Sequence, residues 1–318
     1  MKLTRYTVFI FMALLMFCYA CKKNMDYFIA DAGQQFLNTN WYTTVNDTLP
    51  VMILKQSLLL PLFTDNFTIP NNSGPLKLLF ASGLQCSILP ASLNAGGQAV
   101  TGKIDVQTIL LKKKGDLIRM DRPTISNNKV LVSGGSFYIA LTQNENPISI
   151  VSGTIGIHYT ENNPSFAMKL FNGDTTNTQQ FNWIPNVADS NNVVADSTGY
   201  KILTQKLNWL NCGYYYDTTA PKTMVAASLP TYFTNATTVA FLAFNDVRSV
   251  VGMYGTAATK QFISGSVPVG KPATVIILSK QGNNYYLGQQ TVTTASPAAG
   301  LTVQFVAITP IKTTLDNI

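Results

Sequence analysis

The sequence predicts an all-β protein, with two sandwich-like domains of mostly antiparallel strands behind an N-terminal signal segment. Three observations lead there. No long stretch repeats apolar residues at i, i+3, i+4 and i+7, the spacing of a helix face. Short β-branched and aromatic runs recur instead: KIDVQTILL (103–111), SFYIAL (136–141), GTIGIHY (153–159), TTVAFLAF (237–244), ATVIIL (273–278) and LTVQFVAI (301–308). Between them stand turn-forming clusters such as TENNPS, NGDTTN, DSNNVVADSTG and KQGNN. Many short strands at this spacing argue for sandwiches or barrels.

The first element is a leader, residues 1–20. Lys2 and Arg5 give a basic start, Tyr6 to Phe17 is apolar almost throughout, and Ala20 precedes Cys21. The apolar run falls short of the roughly 20 residues of a membrane span and has the layout of a secretory signal. Cys18 and Cys21 form a Cys-x-x-Cys. A redox pair of that spacing opens a helix beside a strand, whereas this one lies against a leader. Ala20-Cys21 resembles the lipobox of bacterial lipoproteins, with Cys18 where that motif usually has Leu. The resemblance implies cleavage before Cys21 and acylation of its thiol, with palmitate-like chains holding the protein to a membrane. One chain alone anchors only marginally, so the several chains of a lipoprotein matter. Lys22 rather than Asp after the cysteine implies, by analogy with lipoprotein sorting, the outer membrane, in its periplasmic or surface leaflet. A retained single-span anchor is the alternative.

Removing the 20-residue leader from 318 leaves 298 residues, enough for two domains and for a core that needs no disulfide staples. Cys86 and Cys212 would pair in an oxidising compartment or lie apart as buried thiols; the second is expected. Losing Lys2 and Arg5 lowers the net charge from +7 to +5, and only 12% of the chain is charged, against about 25% in an average protein. Polarity comes from Asn, Thr, Gln and Ser. Such a surface does not suit nucleic acid, which wants dense Lys and Arg.

Residues 21–46 read as a tether and first packing segment, with Tyr27, Phe28, Phe36 and Trp41 suited to contact. Residues 47–163 and 164–318 read as the two β domains. The boundary is set at Asn162-Asn163-Pro164, because Pro164 cannot donate to a ladder and extends Asn163. The stretch Leu84 to Leu110 resembles the central part of a ZU5-type β-sandwich: an apolar strand, a turn filled by Ile88 to Leu93 without that family's glycine, then an alternating strand. The likeness covers roughly residues 47–160 and implies an interaction module. LNWLNCGYYYD (207–217) resembles a Trp-x-Asn-Cys segment of surface lipoproteins of Bacteroidota.

Candidate chemistry is sparse. His158 is the single histidine, and alternation with Ile155, Ile157 and Tyr159 turns it to the outer face of its strand. No Ser in a nucleophile-elbow context accompanies it, and zinc is not expected. Of fifteen carboxylates, Glu145 and Glu161 lie in turn-like contexts, and Asp105, between Ile104 and Val106, points outward. A glycosidase would need two facing carboxylates roughly 5–10 Å apart, one raised by burial. Asp189, Asn191 and Asp196 share a loop that would suit calcium but lacks the EF-hand glycine and closing Glu. Lys112, Lys113, Lys114, Arg119 and Arg122 would meet acidic sugars or lipid phosphates, or flank a solvated hairpin turning at Lys114-Gly115-Asp116.

The sharpest binding expectation is an aromatic platform for sugar: Trp209, Tyr214, Tyr215 and Tyr216 with Asp217 beside them, and separately Tyr285 and Tyr286. Rings filling a core are the alternative. Thr48, Thr175, Ser197 and Thr218 each follow an Asp, in a pattern resembling the O-glycosylation acceptor of Bacteroidota; Asp-Thr also simply makes turns. The expected role is a non-catalytic binding or scaffold protein, without metal or cofactor, working with the membrane and an outer-membrane protein or a glycan. A glycan-binding accessory lipoprotein is the first alternative and a carboxylate-based hydrolase the second.

Overall fold

The computed structural model describes residues 39–71, 74–176, 180–186, 192–294, 301–304, 309–310 and 315. The leader, Cys21, Tyr27, Phe28 and Phe36 lie outside them. Two α-helices occur among the described residues, α1 (Pro50–Leu58) and α2 (Lys114–Arg119).

The strands begin β1 (Phe63–Ile69), β2 (Leu76–Leu79), β3 (Gln85–Ile88), β4 (Leu93–Ala95), β5 (Gln98–Ala99), β6 (Gly102–Leu111), β7 (Ile125–Ser126) and β8 (Lys129–Gln143). There follow β9 (Asn146–Ile150), β10 (Ile155–Thr160), β11 (Lys169–Asp174), β12 (Asn182–Pro185), β13 (Val193–Asp196), β14 (Gly199–Thr204) and β15 (Asn208–Tyr215). Next come β16 (Lys222–Thr223), β17 (Val225–Ser228), β18 (Thr238–Phe244), β19 (Val250–Thr256) and β20 (Gln261–Ser264). The last are β21 (Val267–Pro268), β22 (Pro272–Gln281), β23 (Asn284–Thr293), β24 (Leu301–Gln304) and β25 (Thr309–Pro310).

Strands β1 to β15 make a sandwich. One sheet runs β1-β6-β8-β15-β11-β12, extended from the end of β8 by β9, β4 and β5; the other runs β2-β3-β10-β14-β13. Period-two alternation fills the space between them. Ile104 and Val106, Phe137, Ile139 and Leu141, and Leu210 and Cys212 face Cys86, Ile88, Ile155, Ile157, Tyr159, Tyr200 and Ile202. The same alternation leaves Asp105 and His158 half-exposed on the other faces. Hairpins β7–β8 and β8–β9 turn on two residues each. Asn127 and Asn128 have φ of 48° and 62°, and Asn144 and Glu145 of 48° and 67°, the left-handed pair that a tight hairpin needs.

The C-terminal strands form one eight-stranded sheet, ordered β24-β17-β20-β19-β18-β22-β23-β25. Its edge strands end and begin at Gln304 and Thr309, five residues apart, a reach of at most roughly 18 Å. The sheet therefore curls until its edges approach, a sandwich-like unit made from one sheet. Its concave face supplies its own core, including Val225, Leu242, Phe244, Val251, Met253, Phe262, Val275 and Ile277.

A third core joins the two units. Ile109, Leu111, Phe171 and Trp209, on the outer face of the larger sandwich sheet, meet Phe241, Ala243, Val250, Ile276 and Leu278 on the convex face of the curled sheet. Leu54 of α1 and Leu117 and Ile118 of α2 belong to the same cluster. Hydrogen bonds reinforce the joint at the β18–β19 turn. Ser133 N–H donates to the Arg248 carbonyl (2.9 Å) and Thr124 N–H to that of Val250 (2.7 Å). The register of β8 against β15 shifts by one residue between Cys212 and Gly213, leaving Gly134 as a bulge. Its freed carbonyl accepts Arg248 Nη1 at 2.8 Å. Neighbouring Gly135, at φ +150°, has the Tyr159 ring where a Cβ would stand, so SGGS is the sequence of a bulge pressed against the core.

Two expectations are corrected. The chain does not change unit at Asn163-Pro164, because strands on both sides share both sheets: β10 pairs β14, and β8 pairs β15. Pro164 marks a crossover between sheets of one sandwich, so residues 47–163 do not close by themselves. The change comes after Tyr216 instead. The curled unit also takes chain from upstream of the sandwich. Trp41 packs on Phe262 (centroids 5.3 Å apart), Asn235 exchanges hydrogen bonds of 2.9 and 2.6 Å with the Tyr42 backbone, and α1 packs on β18 and β22. The sandwich is thus an insertion within the second unit. The second correction concerns Lys114-Gly115-Asp116, which opens α2 rather than a hairpin. Asp116 Oδ2 accepts from the Lys112 and Lys113 N–H groups (3.2 and 3.0 Å), capping the helix start. A Cβ at Gly115 would overlap the Leu315 carbonyl.

Glu161 is the electrostatic centre of the joint. Its carboxylate, 14% exposed, lies 3.2 Å from Arg248 Nη1 and 3.7 Å from Lys112 Nζ. Breaking a fully buried pair costs 3–5 kcal/mol and a solvated one under 1. Arg248→Ala should therefore lower the unfolding free energy by about 2 kcal/mol, read from urea denaturation. A loss within error would show that the pair is solvated.

Candidate functional site

The aromatic segment does not form the exposed platform expected of it. Trp209 is 6% exposed. Its indole lies beside Tyr138 (5.3 Å) and under the Arg122 guanidinium (4.5 Å), which stacks on Phe181 from its other side (4.4 Å). Tyr215 sets its ring edge-on to Phe171 at 5.7 Å, with its hydroxyl 3.2 Å from Ser126 Oγ. Tyr214 and Tyr216 point to the opposite side and pack against the core of the curled sheet. The Tyr216 hydroxyl donates to Asp246 Oδ2 at 2.6 Å. Burial, then that carboxylate, push the hydroxyl's pKa well above its ordinary value, so the proton stays in the bond. The four rings divide between the two covered faces of β15 and so form no single platform. Tyr285 and Tyr286 are half-buried, Tyr286 edge-on to Phe233 (5.5 Å) and Tyr285 under Lys280 (5.5 Å).

The remaining candidates are tied into local structure. His158 Nε2 lies 3.2 Å from Thr198 Oγ1. Asp196 accepts from Thr198 and pairs with Lys201 at 2.7 Å; Asp189 and Asn191 fall outside the described residues. Among those residues, no three His, Cys, Asp or Glu side chains gather around a point that could hold a metal ion. The basic cluster holds the fold together: Lys112 bonds the Thr160 carbonyl (2.7 Å), Lys114 that of Phe244 (2.6 Å) and Arg119 that of Leu58 (2.9 Å). Cys86 and Cys212 are free and buried, and burial pushes both thiols up to about 12.

Thr48, Thr175, Ser197 and Thr218 are all exposed. In three of the four motifs the Asp oxygen accepts the hydroxyl two residues on: Asp174 from Thr176 (2.6 Å), Asp196 from Thr198 (2.6 Å) and Asp217 from Thr219 (3.2 Å). These are Asx turns with Thr175, Ser197 and Thr218 at their tips. Thr48 differs, its hydroxyl donating to Asn46 Oδ1 at 2.7 Å.

One concave site lies beside the aromatic segment. A cleft of about 90 Å³ is lined by Asn128, Lys129 and Val130 from the β7–β8 hairpin, Tyr216, Thr218 and Lys222 from the chain leaving β15, and Ser266 and Pro268 at β21. The left-handed Asn127-Asn128 turn delivers Lys129, and pairing of Lys222 with Pro268 across β16 and β21 closes the far side. Lys129 Nζ sits 5.4 Å over the Tyr215 ring, and Lys222 Nζ donates to the Asp217 carbonyl at 2.6 Å. Next to the cleft, Lys271 Nζ holds Asp217 Oδ2 at 2.6 Å. Sequence reasoning reached Tyr216 and Thr218 here but missed Asn128, Lys129, Lys222, Ser266 and Pro268, which come from three distant segments and carry no local signal.

No protein-family model matches the chain, and no curated protein is significantly similar to it.

The Lys271 bond holds the Asp217 carboxyl below its usual range, helped by Ala220 N–H and Thr219. A depressed carboxylate stabilises the fold above the unfolded value of about 3.9 and loses that contribution as pH falls through the folded value. Asp217→Asn should therefore melt below the wild type at pH 5–7, with the gap closing below about pH 3. A gap constant across pH would refute this role for the ion pair.

Proposed function

We propose that this protein is a non-catalytic binding or scaffold component of a bacterial outer membrane, held there by lipid on Cys21. The observation that supports it best is the chemistry of the open cleft. Its lining joins Val130, the Tyr216 ring and Pro268 to the Asn128, Thr218 and Ser266 side chains, an apolar wall with a few polar groups of the kind that grips a ligand. Glu161 and Asp217 are held in ion pairs. The likeness of Leu84 to Leu110 to ZU5-type interaction modules, and of Ala20-Cys21 to a lipobox, agrees with this role. A glycan-binding accessory role is the second reading, favoured by the Tyr216 and Pro268 walls of the cleft. Asx-turn presentation makes Thr175, Ser197 and Thr218 the first residues to examine for attached sugar.

Two measurements test the proposal. Affinity capture from detergent-solubilised native membranes should bring down a membrane protein or glycan at constant stoichiometry; capture of the chain alone from the soluble fraction would overturn it. Thiol titration tests the anchor. The native protein should be silent to a disulfide reagent at pH 8, since both buried thiols titrate at about 12. Unfolding should then release two thiols, Cys86 and Cys212. Release of all four cysteines of the sequence would mean that the leader is retained and Cys21 unmodified.

A further inference from the structure

We infer that β1 is a homodimerisation strand: its outer edge pairs antiparallel with the same edge of a second copy, about a two-fold axis at Asn66. The strands β8-β6-β1 of one copy then run on into β1-β6-β8 of the other. Self-association of this kind is independent of the binding role proposed above.

β1 lies along β6 through all seven residues, Phe63 to Ile69, and pairs with no other strand among the described residues. The N–H and C=O groups of such an edge are a template for another chain unless the strand is short or carries Lys, Pro or a bulge. The other edges of the sandwich have these guards. β2 has four residues with Lys77 among them, β12 has four and ends in Pro185, β13 has four, and β5 two. β1, in contrast, reads FTDNFTI, without Lys or Pro and in unbroken register against β6.

Self-complementarity selects a second copy as the occupant. Phe67 packs toward the sandwich core, so alternation sends Thr64, Asn66 and Thr68 to the other face, where all three are exposed. Antiparallel pairing about Asn66 sets Asn66 against its own twin and Thr64 against the partner's Thr68, twice over. Thr–Thr pairs across neighbouring strands are favourable. The one charge of the strand, Asp65, falls opposite the partner's Phe67, so no like charges meet directly. The same register carries Phe63 to the partner's Ile69 and Leu62 to the partner's Pro70. Leu62 and Phe63 are 36% and 45% exposed in the single chain, and the segment leading to them is pinned. The Leu58 carbonyl accepts Arg119 Nε (2.9 Å), and Leu60 N–H donates to Met120 Sδ (3.2 Å). Pro70 has no N–H to extend the ladder. Each copy spends its only long unguarded sandwich edge among the described residues, so the assembly closes at two.

The test is sedimentation equilibrium of the full chain in density-matched detergent, with cysteine cross-linking to fix the register. Expected is a concentration-dependent dimer of twice the chain mass. Thr64→Lys with Thr68→Lys sets Lys against Lys at two places and should weaken dimerisation by about tenfold, with the melting temperature unchanged. Mixing that variant with Thr64→Glu, Thr68→Glu chains should restore the dimer. Under mild oxidation Asn66→Cys should cross-link to itself above the wild-type background, since paired Cα atoms lie roughly 4.5–5.5 Å apart, within reach of a disulfide. Thr64→Cys alone should not, its twin lying four residues along the ladder, roughly 13 Å away. Mixed with Thr68→Cys, it should. Four results would each overturn the inference: a single chain mass at every concentration, a dimer as tight in the Lys variant as in the wild type, a loss that the Glu variant fails to restore, or a dimer that neither Asn66→Cys nor the mixed Thr64→Cys and Thr68→Cys chains can cross-link.

Discussion

A strand covered on both faces cannot sort its side chains into wet and dry, and β15 lives under that constraint. Leu210 and Cys212 enter the sandwich core, Trp209 enters the layer shared with the curled sheet, and Asn211 is wholly buried with its amide 2.7 and 2.9 Å from the Ser133 and Ser136 hydroxyls. The Gly134 bulge opposite exists because something polar must cross this dry layer: it turns a carbonyl toward Arg248, which in turn holds Glu161. Without burial on the second face, the sandwich would keep its own core but lose its register against the curled sheet. Helix α2, the β18–β19 turn and the cleft all follow from that seam.

The strands themselves were legible. GTIGIHY alternates because one face of β10 packs and the other does not, and His158 lies where that period sends it. TTVAFLAF and ATVIIL read as near-continuous apolar runs because β18 and β22 are covered on both faces by two cores. The same double coverage defeated the aromatic argument. A run of tyrosines implies an exposed ring only if one face of the strand meets solvent, and nothing local to residues 207–217 announces a third layer. Pro164 was misleading for a related reason. A proline that stops a ladder looks the same whether the chain next enters a linker or the opposing sheet. Gly115 read as a turn, because the reason for its missing side chain is the carbonyl of a residue 200 positions later.

Electrostatics divides the surface along similar lines. Most charged groups near the seam neutralise one another or cap backbone carbonyls, which is how a chain with so few ionisable residues fastens two β units. Lys129 and Lys222, at the rim of the same seam where the hairpin after α2 and the segment after β15 approach, follow the same rule: Lys129 lies over the Tyr215 ring and Lys222 caps the Asp217 carbonyl. A site assembled from three separate segments has no motif, and only the folded topology brings its parts together.

Insertion of the sandwich within the curled unit has a mechanical consequence. Trp41, Tyr42 and α1 precede β1 in the chain, and a pull on any of them meets its fastening to β18, β20, β22 or Asn235. Tension is thereby delivered to the unit farther along the chain and bypasses β1 to β15, so the inserted half can stay undeformed while its neighbour bears the load.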